Sequence, residues 1–339
     1  MRAVVYSGPR TFEVREEPQL EPARGDVVVR PTVTGVCGTD LHIHEGGFFS
    51  SYPLTPGHEI FGVVEAVGDH VADLRPGQQV AVDNASTCGR CSACGRGQPL
   101  FCSNFRSLGV NAPGGVAEQV VVRADKCFVA DDIPAERGVF AEPLACAVHG
   151  MDVLGLVPGA DVALIGTGPT GLLLAQLLLH GGAGRVVIAG ATAFKLELAR
   201  SYGADATLLV EKSTPAETAG KLRALASDGY DVAIDATGAA PVMQELLGLL
   251  RDGGTAFVYG MADADAAVVW NPYEIFRREL TVKGSFAQVN CFDRALKLLR
   301  SQRIQTDGIV THRFGLDQYG SALDALRSDG SCLKAAIHP

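Results

Sequence analysis

Cysteine, histidine and glutamate residues gather in two parts of the sequence, and each group has the composition of a zinc site. The first group is compact and places four thiols within fifteen residues: Cys88, Cys91, Cys94 and Cys102. Four thiolates complete a tetrahedral shell and leave no position for a substrate, so this spacing predicts a structural zinc ion. An iron–sulfur cluster also uses four cysteines and is the alternative metal group.

The second group is dispersed and mixes sulfur, nitrogen and oxygen ligands: Cys37, His58, Glu59 and Glu142. A mixed set with an open coordination position is typical of catalytic zinc. Zinc lowers the pKa of bound water from about 15.7 to about 7, and the same Lewis acidity makes the alkoxide of a bound alcohol accessible near neutral pH. Alkoxide formation weakens the adjacent C–H bond, so this group predicts oxidation of an alcohol by hydride loss.

A glycine-rich turn predicts a dinucleotide site. Gly166, Gly168 and Gly171 form the pattern G-x-G-x-x-G between an apolar run at Asp161–Gly166 and a helical pattern at Thr170–Gly181. The glycines allow a tight turn and close approach of a pyrophosphate, which then faces the positive end of the helix.

The end of the next strand indicates which nicotinamide cofactor is used. NAD-binding proteins usually carry an acidic residue there, which accepts hydrogen bonds from the ribose hydroxyls. Here the strand Arg185–Gly190 ends in glycine, and Thr192 and Lys195 follow as donors for a 2′-phosphate. The alternative interpretation is that Lys195 is a solvated residue on the first turn of a helix. We expect NADP to be preferred, with NAD as the alternative.

The elements that must position these residues show two patterns of predicted secondary structure. The first part of the chain has short strands separated by Gly, Pro and Asp, which predicts a barrel or sandwich: Asp26–Arg30, Gly62–Val67, Gln79–Asp83 and Val116–Val122. After Pro158, strands alternate with helices such as Ala193–Tyr202, which predicts a doubly wound parallel sheet. Its further strands are Ala206–Val210, Tyr230–Asp235, Thr255–Gly260 and Leu280–Ser285.

Two domains follow from this change of pattern and from a chain of 339 residues. Residues 1–150 and 289–339 are predicted to form a discontinuous zinc-binding catalytic domain, to which the helix Phe292–Ser301 returns. Residues 151–288 are predicted to form the dinucleotide-binding domain.

Composition restricts the class of partner. The formal net charge of −9 argues against a nucleic acid, because nucleic-acid binders concentrate positive charge. The longest apolar helical run is too short to cross a bilayer, and the first residues read as a strand rather than a signal peptide. Nine cysteines without a secretory signal favour metal binding in a reducing compartment, so we expect a cytoplasmic protein.

The segment from Gly57 to Gly68, GHEIFGVVEAVG, resembles the zinc signature of the medium-chain alcohol dehydrogenase superfamily. The preceding Cys37-Gly-Thr39-Asp40 and the four-cysteine cluster have the order and spacing of that family, and the likeness covers essentially the whole chain. The resemblance implies an α/β protein with a GroES-like β-barrel catalytic domain and a Rossmann domain. It also implies a zinc-dependent, NAD(P)-linked oxidoreductase.

The resemblance also implies roles for the metal-site residues. Cys37 and His58 would bind the catalytic zinc, and Glu59 would bind it during part of the cycle. Glu142 lies in a Glu-Pro-Leu sequence similar to the sorbitol and threonine dehydrogenase branches, where the glutamate binds zinc directly or through water. Asp40 would orient His58.

A proton relay is implied in the same way. Thr39 would take the alcohol proton and His42 would pass it towards solvent, because a hydroxyl and an imidazole can each donate and accept. His44 matches no family role and is expected to be a surface or pocket-lining residue. Phe48 and Phe49 either line the substrate cleft or pack internally.

The substrate class is indicated only by the segment 271–286, which resembles polyol dehydrogenases, including arabinitol-type members. We therefore expect a secondary alcohol of a polyol or sugar alcohol as substrate. An L-threonine 3-dehydrogenase-like activity and a simple secondary-alcohol dehydrogenase are the enzymatic alternatives. A zinc-free quinone or enone reductase, or a nucleotide-binding structural descendant without activity, is opposed by the presence of the zinc ligands and the relay. The family resemblance further suggests a homodimer or homotetramer.

Overall fold

The computed structural model describes residues 1–210 and 214–339. The chain divides into two compact units, which comprise residues 1–145 with 288–339, and residues 146–287. Among the helices that the structure describes, none combines the length and the apolar character needed to traverse a bilayer.

The first stretch of the chain consists mainly of short strands. These strands are β1 (Arg2–Gly8), β2 (Thr11–Glu16), β3 (Asp26–Val36), β4 (Glu59–Val67), β5 (Gln79–Val82), β6 (Ala85–Ser86), β7 (Arg106–Ser107), β8 (Val120–Arg123) and β9 (Cys127–Val129). The α-helices are α1 (Gly38–His44), α2 (Ser92–Gly95), α3 (Ala135–Gly138) and α4 (Ala141–Leu154), and two 3-10 helices lie at Pro99–Phe101 and Ala124–Lys126.

The middle stretch alternates strands and helices. Its strands are β10 (Asp161–Ile165), β11 (Arg185–Gly190), β12 (Ala206–Leu209), β13 (Tyr230–Asp235), β14 (Leu250–Val258) and β15 (Thr281–Gly284). Its helices are α5 (Pro169–His180), α6 (Ala193–Ser201), α7 (Pro215–Ala224), α8 (Ala240–Gln244), α9 (Leu246–Leu249) and α10 (Pro272–Arg277). The strands form one sheet in the order β12-β11-β10-β13-β14-β15, and every neighbouring pair is parallel. The predicted doubly wound sheet is confirmed.

The last stretch returns to the first unit. It contains α11 (Phe292–Arg300), β16 (Val310–Phe314), a 3-10 helix at Leu316–Gln318, α12 (Tyr319–Ser328) and β17 (Lys334–Ile337). These C-terminal strands join the N-terminal ones in a sheet of order β16-β17-β3-β4-β5-β9, in which β8 also pairs with β3. Residues more than 270 positions apart in the sequence are therefore neighbours in this sheet.

β3 is the central strand of the first unit and is longer than predicted, since it continues to Val36. Its inward side chains Val27 and Val29 pack with apolar residues of β4, β5 and β8. Burial of this apolar surface fixes the strand register, because a slip by one residue would turn these side chains outward. The strand consequently delivers its carboxyl end, and Cys37 after it, to a fixed place.

Candidate active site

Cys37 connects β3 to α1 and caps that helix. Its Sγ atom accepts a hydrogen bond from the backbone N–H of Thr39 at 3.3 Å, and its own backbone N–H donates to Asp40 Oδ2 at 2.9 Å. This reciprocal capping satisfies N–H groups that the first helical turn leaves open. The local backbone therefore positions Cys37, Thr39 and Asp40 relative to one another.

Three ligand types meet at this helix start. The Nε2 atom of His58 lies 3.0 Å from Cys37 Sγ, and one carboxylate oxygen of Glu59 completes a group whose ligand atoms all lie within 4.8 Å of one another. His58 and Glu59 are buried, and Cys37 is partly buried. A sulfur, a nitrogen and an oxygen at these separations fit one zinc ion with room for a further ligand.

The electrostatics of the site favour a cation. Burial alone would lower the pKa of His58, but the charges of Cys37 and Asp40 raise it well above its ordinary value. The charge of Glu142 acts in the same direction. The same concentration of negative charge around a buried imidazole would also favour a bound metal cation.

Asp40 and His58, which we expect to be hydrogen-bonded, lie close together without forming that bond. The Oδ1 atom of Asp40 lies 3.8 Å from His58 Nδ1, which is too long for a hydrogen bond. Neither atom has a hydrogen-bond partner in the described structure, although both are buried. Burial also raises the pKa of Asp40 above its ordinary value.

The two candidate glutamates differ in their position relative to Cys37 and His58. Glu59, the first residue of β4, belongs to the group with Cys37 and His58, whereas Glu142 lies outside it in the first turn of α4. Glu142 is nevertheless close enough to raise the pKa of His58. The structure thus brings Glu59 into the ligand set and leaves Glu142 beside it.

The sequence analysis missed Lys334, which is 1% exposed and bound to Glu59. Burial acts to lower the pKa of its ammonium group, but the Glu59 carboxylate raises it, so Lys334 remains charged. A sequence signal existed, because Lys334 interrupts the apolar run from Cys332 to Ile337, all of which is buried.

The expected relay residues lie on α1. Thr39 and His42 are both partly exposed on this helix, one turn apart. His44 is not a simple surface residue, because its Nδ1 atom lies 2.8 Å from the hydroxyl of the buried Tyr6. Burial raises the pKa of Tyr6, so its hydroxyl keeps its proton at neutral pH while it shares a hydrogen bond with the imidazole.

The four-cysteine cluster, Cys88, Cys91, Cys94 and Cys102, also closes into one group with ligand atoms within 4.8 Å of one another. The sulfur–sulfur distance is 3.6 Å for Cys91 and Cys94, and 3.5 Å for Cys102 and Cys88. Tetrahedral zinc with Zn–S bonds of about 2.3 Å would separate two sulfurs by roughly 3.8 Å. Backbone N–H groups of Cys94 and Ser103 lower the pKa of Cys91, and burial raises that of Cys94, so Cys91 is the first of this pair to become a thiolate. One tetrahedral ion fits this geometry.

The glycine turn of the second unit has the geometry expected for a dinucleotide site. Gly166 follows β10 with φ of +121°, a conformation that side chains oppose, and Gly168 caps α5. A Cβ on Gly171 would overlap the carbonyl oxygen of Gly166. These glycines therefore leave room for an anion to approach the amino end of α5.

The residues expected to select the cofactor follow β11. Gly190 is its last residue, and Thr192 caps α6 without a side-chain hydrogen bond to the helix. Lys195, on the first turn of α6, has its ammonium group 5.6 Å from the ring centre of Phe194. The structure brings Gly190 and Thr192 to the end of β11, one strand away from the glycine turn at the end of β10.

Comparison with known proteins agrees with both units. Residues 23–132 match the alcohol dehydrogenase GroES-like domain, and residues 169–301 match the zinc-binding dehydrogenase family. The predicted GroES-like and Rossmann fold class is therefore confirmed.

Full-length relatives extend this agreement. D-arabinitol dehydrogenase 1 of Uromyces fabae is 41% identical over 100% of this chain and 97% of its own length. L-threonine 3-dehydrogenase of Serratia proteamaculans is 32% identical over 93% of this chain and 92% of its own. A Sinorhizobium meliloti protein described as a zinc-binding dehydrogenase, solved with NADP, is 33% identical with a TM-score of 0.93, covering 100% and 99% of the two chains. This chain belongs to the zinc-binding alcohol dehydrogenase family, in the branch that includes polyol and threonine dehydrogenases.

Proposed function

We propose that the protein oxidises a secondary alcohol of a small polyol or sugar alcohol and transfers the hydride to NADP, with the reverse ketose reduction also available. The observation that carries this proposal is the buried group of Cys37, His58 and Glu59 at the start of α1, with Thr39 on the same turn. The 41% identity to a D-arabinitol dehydrogenase over the full chain supports the polyol class.

In this proposal Cys37, His58 and Glu59 would hold the catalytic zinc, and Glu142 would be a neighbouring carboxylate available to the same ion. Zinc bound there supplies the Lewis acidity that lowers the pKa of an alcohol hydroxyl. The four cysteines Cys88, Cys91, Cys94 and Cys102 hold a second, structural zinc.

The proton of the alcohol is handled by the chain itself. Thr39 accepts it through its hydroxyl, and His42 takes it on towards solvent, because both groups donate and accept hydrogen bonds. Their location on α1, directly after Cys37, keeps the relay fixed with respect to a ligand of the metal.

For the cofactor, we assign the glycine turn Gly166, Gly168 and Gly171 to the pyrophosphate and Gly190, Thr192 and Lys195 to the 2′-phosphate. The absence of an acidic side chain at position 190 supports NADP, since a carboxylate there would repel the phosphate. The relative from Sinorhizobium meliloti solved with NADP supports the same choice.

We also propose a homodimer formed through β15, the terminal strand of the parallel sheet among the described residues. Val282 on this strand is 42% exposed, and Val269 and Phe276 beside it in the sequence are about 80% exposed. A charged side chain on an edge strand can oppose pairing with another strand. Lys283 does not do so here, because its Nζ atom donates hydrogen bonds to carbonyl oxygens in the last turn of α4. Two copies of β15 can pair antiparallel about a two-fold axis.

We further propose that the protein works in a reducing, cytoplasmic compartment, because zinc binds cysteines as thiolates.

The test is a substrate panel of arabinitol, sorbitol, galactitol, L-threonine and 2-butanol, each with NADP and with NAD. We expect the highest kcat/KM for a polyol with NADP, and no turnover by a Cys37→Ser variant. Preference for L-threonine would instead support the second candidate, an amino-alcohol dehydrogenase, which the 32% identity to L-threonine 3-dehydrogenase favours. A tenfold preference for NAD would contradict the cofactor assignment alone.

A further inference from the structure

Gly190 at the end of β11 faces the side chain of Thr167, the residue between the first two glycines of the turn. A Cβ atom added to Gly190 would lie 2.5 Å from Thr167 Cγ2 and 3.0 Å from its Cβ, and would overlap Oγ1. Thr167 is itself buried. The space in which any side chain at position 190 would begin is therefore already filled.

Rotation of Thr167 cannot clear this space. Threonine carries two heavy atoms on Cβ, which occupy two of the three staggered positions. Both occupied positions now lie against Gly190. Either of the other rotamers would still leave a heavy atom in one of them. Serine, with a single γ atom, could turn it into the third position.

The backbone at position 190 is also held in place. The N–H of Gly166 donates to the carbonyl oxygen of Ala189 at 2.9 Å, and the N–H of Val210 donates to that of Gly190 at 2.8 Å. β11 is paired on both sides, with β10 and with β12. Gly190 is not in the left-handed region of φ, so its backbone conformation would accept a side chain. The three heavy atoms nearest to an added Cβ all belong to Thr167, so this contact is what opposes a side chain there.

We infer that Thr167 is a second determinant of cofactor choice, because it excludes the acidic side chain that NAD recognition needs at position 190. The inference deepens the proposed NADP preference and rests on it. An acid at this place would bind the ribose hydroxyls of NAD. Thr167 and Gly190 therefore act as a pair, and changing Gly190 alone adds a strained side chain rather than a functional carboxylate.

The experiment compares Gly190→Asp alone with Gly190→Asp combined with Thr167→Ser or with Thr167→Val, beside the single Thr167 variants. Valine keeps two γ atoms and removes the hydroxyl, whereas serine keeps the hydroxyl and removes one of the two γ atoms that crowd position 190. In the cofactor-free protein, Gly190→Asp should lower Tm by about 2–8 °C, as overpacking does. Thr167→Ser should restore most of this loss in the double variant, and Thr167→Val should not.

Affinity supplies the second readout, through fluorescence titration with NADPH and NADH. Gly190→Asp alone should weaken NADPH binding without strengthening NADH binding. Thr167→Ser/Gly190→Asp should bind NADH roughly ten- to a hundredfold more tightly than Gly190→Asp does, the value of a charged hydrogen bond. The inference is overturned if the serine and valine double variants match in both Tm and NADH affinity. A native enzyme that prefers NADH would refute the proposed cofactor, while the order of Tm values would still test the contact.

Discussion

The Nζ atom of Lys334 lies 2.5 Å from Oε1 of Glu59, and both side chains are about 2% exposed. The two residues come from β17 and β4, which flank β3 on opposite sides. They meet over Gly35 of β3, where a Cβ atom would overlap Glu59 Oε2 and lie 3.1 Å from Lys334 Cε. Because residue 35 is a glycine, a buried lysine can reach a candidate zinc ligand across the intervening strand.

Replacing Lys334 by Met should destabilise the protein, because it leaves the Glu59 carboxylate buried without its counter-charge. Breaking such a pair costs about 3–5 kcal/mol in the free energy of unfolding. We expect this loss in urea unfolding of the zinc-stripped protein and a smaller one in the zinc-loaded protein, where the ion supplies the positive charge.

The matched control is the double variant Lys334→Met/Glu59→Gln, which removes both charges and should recover much of the lost free energy. Gly35→Ala probes the same contact from the other side, since its methyl group displaces Glu59. A Lys334→Met protein as stable as the wild type in zinc-stripped form would show that the pair has no such role.

His44 predicts a pH dependence of stability. Burial lowers its pKa in the folded protein below the value of about 6.5 in the unfolded chain, although Glu45 acts in the opposite direction. As the pH falls through this range, the unfolded chain takes up a proton first, so the free energy of unfolding decreases. In His44→Gln, which can still accept from Tyr6, the decrease between pH 7.5 and 5.5 should be smaller. Parallel curves for the two proteins would contradict this assignment.

The parts of the site that could be predicted are those in which spacing along the chain carries the chemistry. The four-cysteine cluster and the glycine turn are each formed by one short loop, so their residue types define the geometry locally. Cys37 directly follows β3 and His58 directly precedes β4, and these two adjacent strands pair antiparallel. The roles of Cys37 and His58 as metal ligands were implied by the resemblance to the family.

The remaining contacts depend on tertiary structure that no local pattern contains. Lys334 reaches Glu59 across 275 positions of sequence only because β17 returns to β3. Thr167 meets Gly190 because β10 and β11 pair in parallel after a crossover helix. That Glu59 rather than Glu142 lies in one group with Cys37 and His58 also depends on where β4 begins and how α4 packs.

The two zinc groups should respond differently to mutation. Cys37→Ser should abolish turnover and reduce the zinc content from about two ions per chain to about one, with little change in Tm, because the catalytic shell is open. Cys94→Ser should also remove about one zinc ion but lower Tm by several degrees, since structural zinc contributes folding energy. Metal analysis and thermal unfolding check both. Equal Tm losses in the two variants would contradict the division of roles.

Thr39 provides a test of the relay. Thr39→Ala should reduce kcat by about 10²- to 10⁴-fold, the usual contribution of a positioned proton-transfer group. Zinc content should not change, because Thr39 contacts Cys37 through its backbone N–H and not through its side chain. Thr39→Ser restores a hydroxyl and should keep most of the activity. A serine variant as impaired as the alanine variant would indicate a packing role instead.

The edge of β15 gives a prediction about assembly. If two copies pair through this strand, the wild type should have twice the 35.5 kDa chain mass in light scattering after size-exclusion chromatography. Val282→Lys should shift the equilibrium to monomer, because charged side chains on an edge strand oppose pairing with a second strand. Val282→Thr keeps a β-branched side chain and should remain dimeric. A Val282→Lys protein that keeps the wild-type mass would place the interface elsewhere.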